Sequence, residues 1–280
     1  FGFDLNSNVF WILIFCLPAF LVGFIDDLKF NIDPRLRIIL LLPVPILFFY
    51  FEDIRVTNLD LGNFDDFLEI EFLALFFLCF AMIGMMNAFN LIDGLDGLAS
   101  GITLFGLLAV SVVGFLLPIP HITWLSTLLI GCLLGFLVYN SRPASIFLGD
   151  CGSLTLGYLA GCLCLMGSVS SEGAINGIFP FLAFALPVTD CIFAIVRRIL
   201  RGRSPFSPDM EHFHHRLMAK GLTHGKAVLA MWSAAFTCSF VAVAAALGKG
   251  DQLTALFVFF GLGGFILLRY LGYFRFEFFG

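Results

Sequence analysis

Charge is what this sequence has least of. Charged residues make up 12% of its 280 positions and hydrophobic residues 60%, whereas a soluble globular domain is nearer a quarter charged and half apolar. No run of lysine and arginine occurs, so the basic stripe that nucleic acid binding needs is missing. The eight cysteines lie scattered in apolar segments with no Cys-x-x-Cys pair. That argues against a zinc site or a disulfide framework and leaves reduced thiols facing lipid or core. No signal peptide, internal repeat or low-complexity linker is expected from the residues given. With no starting methionine, the chain is expected to begin partway through a longer protein. The net charge of −5 says little about partners.

What is present is apolar length. A hydrocarbon span takes about 20 apolar residues. Nine segments approach that length, at about 9–25, 36–51, 71–91, 101–118, 123–140, 153–169, 177–196, 227–247 and 253–272. These runs are too long and too unbroken for barrel strands, which alternate over about ten residues. The expected fold class is all-α: a polytopic helical membrane protein, one domain over residues 1–280, with its longest connection at 197–226. Nine spans alternate the connections between two sides. Of the 15 lysines and arginines, 13 then fall on one side, leaving Arg55 and Lys249 on the other. By the positive-inside rule the first side is cytoplasmic.

Four polar motifs fall on that same side. "DDLK" at 26–29 ends the first span, and its adjacent carboxylates Asp26 and Asp27 repel unless a divalent cation or Lys29 relieves them. A solvated helix end is the bland alternative, although acids at a helix C-terminus oppose its dipole. "NAFNLIDGLDG" at 87–97 places Asp93 and Asp96 three residues apart, with the amides of Asn87 and Asn90 a turn deeper. An Asp-Gly turn explains the aspartates but not the asparagines, because polar groups at membrane depth are costly unless used. "FLGDCGS" at 147–153 holds Asp150 at a helix start. There it reads as an N-cap, or as a Mg²⁺ ligand beside N–H groups free to meet a phosphate. "EHFHHRLMAKG" at 211–221 gathers His212, His214, His215 and Arg216 near Arg197, Arg198, Arg201 and Arg203. A basic loop accounts for the arginines but not for three of the chain's five histidines; imidazole and guanidinium together suit a diphosphate. Carboxylates, permissive glycines and cations at one membrane face form an inventory for phosphoryl transfer between a lipid and a soluble phosphorylated substrate.

In this order the motifs resemble the polyprenyl-phosphate N-acetylhexosamine-1-phosphate transferase family, glycosyltransferase family 4, over nearly the whole chain. "EHFHHRL" is more like the branch that uses UDP-GlcNAc than the one that transfers phospho-N-acetylmuramoyl-pentapeptide, which carries three consecutive histidines. The resemblance implies a membrane enzyme of the cytoplasmic (inner) membrane. It would join UDP-N-acetylhexosamine to polyprenyl phosphate, release UMP and use Mg²⁺, with Mn²⁺ as a substitute. It implies that Asp26 deprotonates the lipid phosphate with Asp27 as its acidic partner, and that Asp150 and Asn90 hold the metal. Lys29, Asn87, Asp93 and Asp96 fall near nucleotide and metal, and His212, His214, His215 and Arg216 near the sugar-nucleotide phosphates. A homodimer is an assembly open to it. Family members carry further N-terminal spans and a Pro-Thr-Gly-Gly-like loop, neither of which occurs in this sequence, so the chain is expected to be a piece of an eleven-span protein. An ion-coupled transporter is the reading from another class; it requires polar groups at the bilayer midplane and an inverted repeat. An inactive relative of the same fold is the third.

Overall fold

The computed structural model describes residues 7–30, 32–51, 63–168, 178–207, 209–247, 261, 264 and 269–272, and among these there are only helices and their connections. The order is α1 (Ser7–Ile25), a π-helical turn (Asp26–Phe30), α2 (Pro34–Leu41), α3 (Pro43–Phe51), α4 (Asn63–Leu68), α5 (Glu71–Ile92), α6 (Leu98–Leu116) and α7 (Pro120–Asn140). There follow α8 (Gly149–Ser168), α9 (Ile178–Ala183), α10 (Ala185–Leu200), α11 (Phe213–Ala219) and α12 (His224–Leu247). The all-helical polytopic architecture expected from the sequence is present.

Six helical stretches are long and apolar enough to cross a bilayer: Phe10–Leu28, Glu71–Ile92, Leu98–Leu116, Pro120–Asn140, Gly149–Met166 and His224–Leu247. Two further expected spans are each built from two shorter helices. The segment expected at 36–51 breaks between Leu41 and Pro43, and the one at 177–196 breaks at Phe184, ahead of Pro187. Proline lacks the N–H that would continue a helix ladder, and apolar neighbours let a membrane helix tolerate the break. The ninth, at 253–272, lies mostly outside the described residues.

Helix α5 shows why these elements form where polarity gives no stripe. Phe72, Phe76 and Phe80 recur every fourth residue and are 65–73% exposed, while Leu78, Met82, Met86 and Phe89 are at most 1% exposed on the other side. Both faces are apolar because one meets protein and the other lipid, so the 3.6-residue period survives in burial and not in hydrophobicity. In the most apolar 18-residue stretches, 67% of residues are buried in α6 and in α8, against 22% in α7. Helix α8 is therefore central, packed on α1 and α5, while α6 sits between α7 and α12. Without a hydrophobic force between helices in lipid, close approach matters most. Gly157 of α8 touches the backbone of Met86, and Gly23 of α1 touches the backbone of Asp150 and Cys151.

Candidate active site

The ends of α1, α2, α5 and α8 converge on Arg37. Its guanidinium ion-pairs with Asp26 and donates to Asp150 Oδ2 at 2.7 Å and to Asn90 Oδ1 at 3.0 Å. Asn90 Nδ2 in turn donates to Asp150 Oδ1 at 2.8 Å and to Ser153 Oγ at 3.1 Å. Asp26 also accepts the Ile32 N–H at 2.8 Å. The π-helical turn that closes α1 carries both aspartates of "DDLK", and Asp33 with Pro34 starts α2 by capping the Arg35 N–H. Arg37 is thereby delivered to the acids one turn later. With the Asp26 side chain 8% exposed and that of Arg37 14% exposed, these charges are largely out of water. Such a pair tolerates poorly the loss of either partner.

Asp27 has a different place. Its carboxylate accepts the N–H groups of Asp150 at 2.8 Å and of Cys151 at 3.0 Å, so it caps α8 from another helix. The start of α8 was expected to offer those N–H groups to a phosphate; here they are satisfied by Asp27, the negative group that the dipole favours at that end. Gly149 makes the contact possible. Its φ of 67° is left-handed, and a Cβ there would lie 2.6 Å from the Asp27 carboxylate.

Asp93 follows the last turn of α5. Burial, and then the Asp150 and Asp27 carboxylates, push its carboxyl up to about 7. The Asp150 and Asp27 carboxylates are thus near enough for their charge to be felt at Asp93. Asp96 lies off the centre and accepts the Ala144 N–H at 3.3 Å, tying down the loop before α8. Asn87 is turned into its own helix, donating to the Ile83 carbonyl at 2.8 Å. Lys29 lies in the π-helical turn, and its side chain lies outside the described residues.

The histidines reach the acids through glycine. His214 packs so closely on Gly94 that any Cβ there would overlap its ring. The rings of His214 and His215 meet at 37° with centroids 4.0 Å apart, and each has a buried Nδ1 with no hydrogen-bond partner. Buried polar atoms are usually paired with protein, water or a bound group. Burial, then the His215 and His212 rings, lower His214 to about 3, and burial lowers His215 as well. The shifts favour neutral rings at His214 and His215 at neutral pH, so the firm positive charge of this region rests on its arginines. The arginines differ from expectation too. Arg197 ion-pairs with Asp209 and Arg201 with Glu211, while Arg216 donates to Glu211 Oε2 at 2.7 Å and to the Leu271 carbonyl at 3.0 Å. These acids fold the loop, and Arg216 is turned toward a cavity of about 430 Å³ that it shares with Arg201, Lys220 and Leu271.

Linkage turns the lowered His214 into a pH dependence. The unfolded chain takes this proton near 6.5 and the folded one only near 3, so stability is complete above 6.5 and declines as the pH falls below it. The thermal midpoint of the purified protein is expected to drop between about pH 7 and pH 5, and to drop less in His214→Gln. An equal drop in both would remove His214 as the cause.

Arg37 and Asp190 are the residues that sequence reasoning missed. Arg37 was only one of the 13 basic residues on its side. Asp190, buried at 1% exposure, faces His212 Nδ1 at 3.0 Å. The signal for it was available, as the lone acid inside the apolar run "ALPVTDCIFAI". Among the described residues no three His, Cys, Asp or Glu side chains lie close enough to hold a metal ion by themselves.

The chain is similar to known proteins over most of its length. The family model described as glycosyl transferase family 4 matches residues 9–168. The chain is 37% identical, over 79% of its length, to a probable undecaprenyl-phosphate N-acetylglucosaminyl 1-phosphate transferase of Bacillus subtilis, and it spans 62% of that protein. It is 30% identical over 82% of its length to a phospho-N-acetylmuramoyl-pentapeptide-transferase of Staphylococcus haemolyticus, of which it spans 74%. To an undecaprenyl-phosphate alpha-N-acetylglucosaminyl 1-phosphate transferase of Thermotoga maritima it is 33% identical over 72% of its length, spanning 59% of that relative. Motifs, helices and these matches agree: the chain belongs to glycosyl transferase family 4.

Proposed function

We propose that this chain carries the machinery to transfer an N-acetylhexosamine-1-phosphate, GlcNAc-1-phosphate first, from a UDP-sugar to polyprenyl (undecaprenyl) phosphate. UMP is released, and a lipid-linked cell-envelope glycan is begun. The observation that carries the reading is the convergence of Asp26, Asn90 and Asp150 on Arg37, with Asp93 and the His214 ring beside them. The names of the Bacillus and Thermotoga relatives favour GlcNAc as the sugar.

The donors suit a hard divalent cation. Carboxylates of Asp150 and Asp26 and the amide oxygen of Asn90 are oxygen ligands, and Asp93, raised chiefly by burial, also feels the carboxylates of Asp150 and Asp27. Mg²⁺ commonly takes one or two carboxylates and fills the rest of its shell with water and substrate phosphate, so a site without three converging acids fits it. Asp150 and Asn90 would hold it, and when bound it neutralises phosphate charge. In the step itself an oxygen of the lipid phosphate attacks the β-phosphorus of the UDP-sugar. The new P–O bond forms as the bond to the oxygen bridging the α- and β-phosphorus breaks, and UMP leaves with that oxygen. Asp26 keeps the lipid phosphate unprotonated, and Arg37, able to fork between two oxygens, receives it. The His214 and His215 rings border the sugar-nucleotide phosphates. Isolation of an Asp26 or Asp27 carrying sugar phosphate would sink direct attack in favour of double displacement. The lysine and arginine distribution favours the cytoplasmic face of the membrane for this site.

Full-length protein, purified and given UDP-GlcNAc, undecaprenyl phosphate and Mg²⁺, is expected to release UMP only when all three are present. No UMP from any UDP-N-acetylhexosamine would overturn the reading.

A further inference from the structure

We infer that Asp190 is the positioning residue of the histidine motif: from within α10 it fixes the His212 ring with one oxygen and the start of α11 with the other. Asp190 Oδ1 accepts the Phe213 N–H at 2.9 Å, and Oδ2 faces His212 Nδ1 at 3.0 Å. His212 occupies the cap position of α11 but makes no capping bond with its own side chain. The first turn of α11 is thus capped by a residue 23 positions earlier in the chain. A carboxylate oxygen accepts, so Nδ1 carries the hydrogen and Nε2 becomes the nitrogen of His212 left to meet a phosphate or sugar oxygen. The orientation passes onward. The His212 ring lies parallel to that of His214, within 4° and at 6.0 Å, and His214 rests on Gly94 between Asn90 and Asp96.

The burial makes a purely architectural acid a poor explanation. Both Asp190 and His212 are at most 3% exposed, and an acid in an apolar helix is costly unless its partners need it. A neutral acceptor would cap α11 equally well. Only an acid both caps it and holds one tautomer of His212. Helix α10 carries Arg197 two turns further on, where it binds Asp209 just ahead of the motif. One helix therefore sets both the entry of the loop and the rotation of its leading imidazole.

The inference rests on the transferase reading for its kinetic consequence but not for its geometry, and the test separates the two. Asp190→Asn keeps a carbonyl oxygen for the Phe213 N–H and loses the charge and the fixed acceptor at Nδ1. In full-length protein it is expected to keep its thermal midpoint and its KM for undecaprenyl phosphate. Its kcat/KM for UDP-GlcNAc is expected to fall about 10–100-fold, the usual cost of losing a residue that orients an imidazole. In the same samples the ring ¹⁵N resonances of His212, assigned against His212→Gln, are expected to show hydrogen on Nδ1 in the parent and a shifted pattern in Asp190→Asn. Unchanged kcat/KM for the nucleotide sugar, or an equal loss for both substrates together with a lower midpoint, would reduce Asp190 to a structural cap. If the parent releases no UMP, the transferase reading fails and the resonances decide the positioning role: hydrogen on Nε2 in the parent would overturn it.

Discussion

Asp150→Asn is expected to lower UMP release about 10²–10³-fold, the range for removing one preorganised charged or polar group from a transition state, in a protein that still folds. The substitution keeps size and shape. Yet Arg37 and Asn90 both donate to this carboxylate, one to each oxygen, and an amide has one oxygen to offer. Its NH₂ group meets a donor, and the negative charge that would hold a cation is gone. Arg37 is then left to Asp26, which tightens that pair and removes the guanidinium from an incoming phosphate. Turnover is read as UMP release at saturating substrates, and folding as the thermal midpoint. Near-normal turnover would take Asp150 out of the site. Asp26→Asn is expected to act in the same direction, since Asp26 shares Arg37 and also holds the Ile32 N–H.

Gly23→Ala is expected to cost about 1–3 kcal/mol of stability, the usual range for overpacking, and to reduce turnover with it. A Cβ at Gly23 would fall on the backbone of α8 at Asp150 and Cys151. Backbone cannot rotate away as a side-chain tip can. The helices must part, and four residues on Asp27 must release the two N–H groups it caps. Gly131→Ala and Gly135→Ala in α7 are the controls, because nothing lies within 4 Å of a Cβ at either position. Both should leave midpoint and turnover unchanged. A Gly23→Ala protein as stable and as active as the parent would show that α1 and α8 are not locked together at this glycine.

The polar motifs were readable because each was improbable where it stood. Two asparagines inside a span, or three histidines within four residues, are signals against an apolar background. Arg37 was invisible for the opposite reason: on the basic side of a membrane protein one more arginine looks ordinary. Asp27 and Asp150 stood out as residues, but nothing in their spacing of 123 positions said that one would cap the helix of the other. The helix breaks at Leu42 and Phe184 were hinted at by Pro43 and Pro187. Hydropathy smooths over such breaks, because both halves are equally apolar.

The sequence by itself determined the class, most of the helical segments and the polar motifs of the candidate site. Those follow from local quantities: apolar length against bilayer thickness, the cost of a polar group in hydrocarbon, and the distribution of lysine and arginine. Only the tertiary structure decided which group faces which. It set Asp27 as a cap, Asp26 and Asp150 as the two acids of Arg37, Asn87 and Asp96 as supports, and Asp190 as the anchor of His212. Those assignments depend on distances of about 3 Å between residues far apart in the chain, and hydrogen bonds fade within fractions of an ångström. Helix packing fixes such distances. Composition and spacing do not.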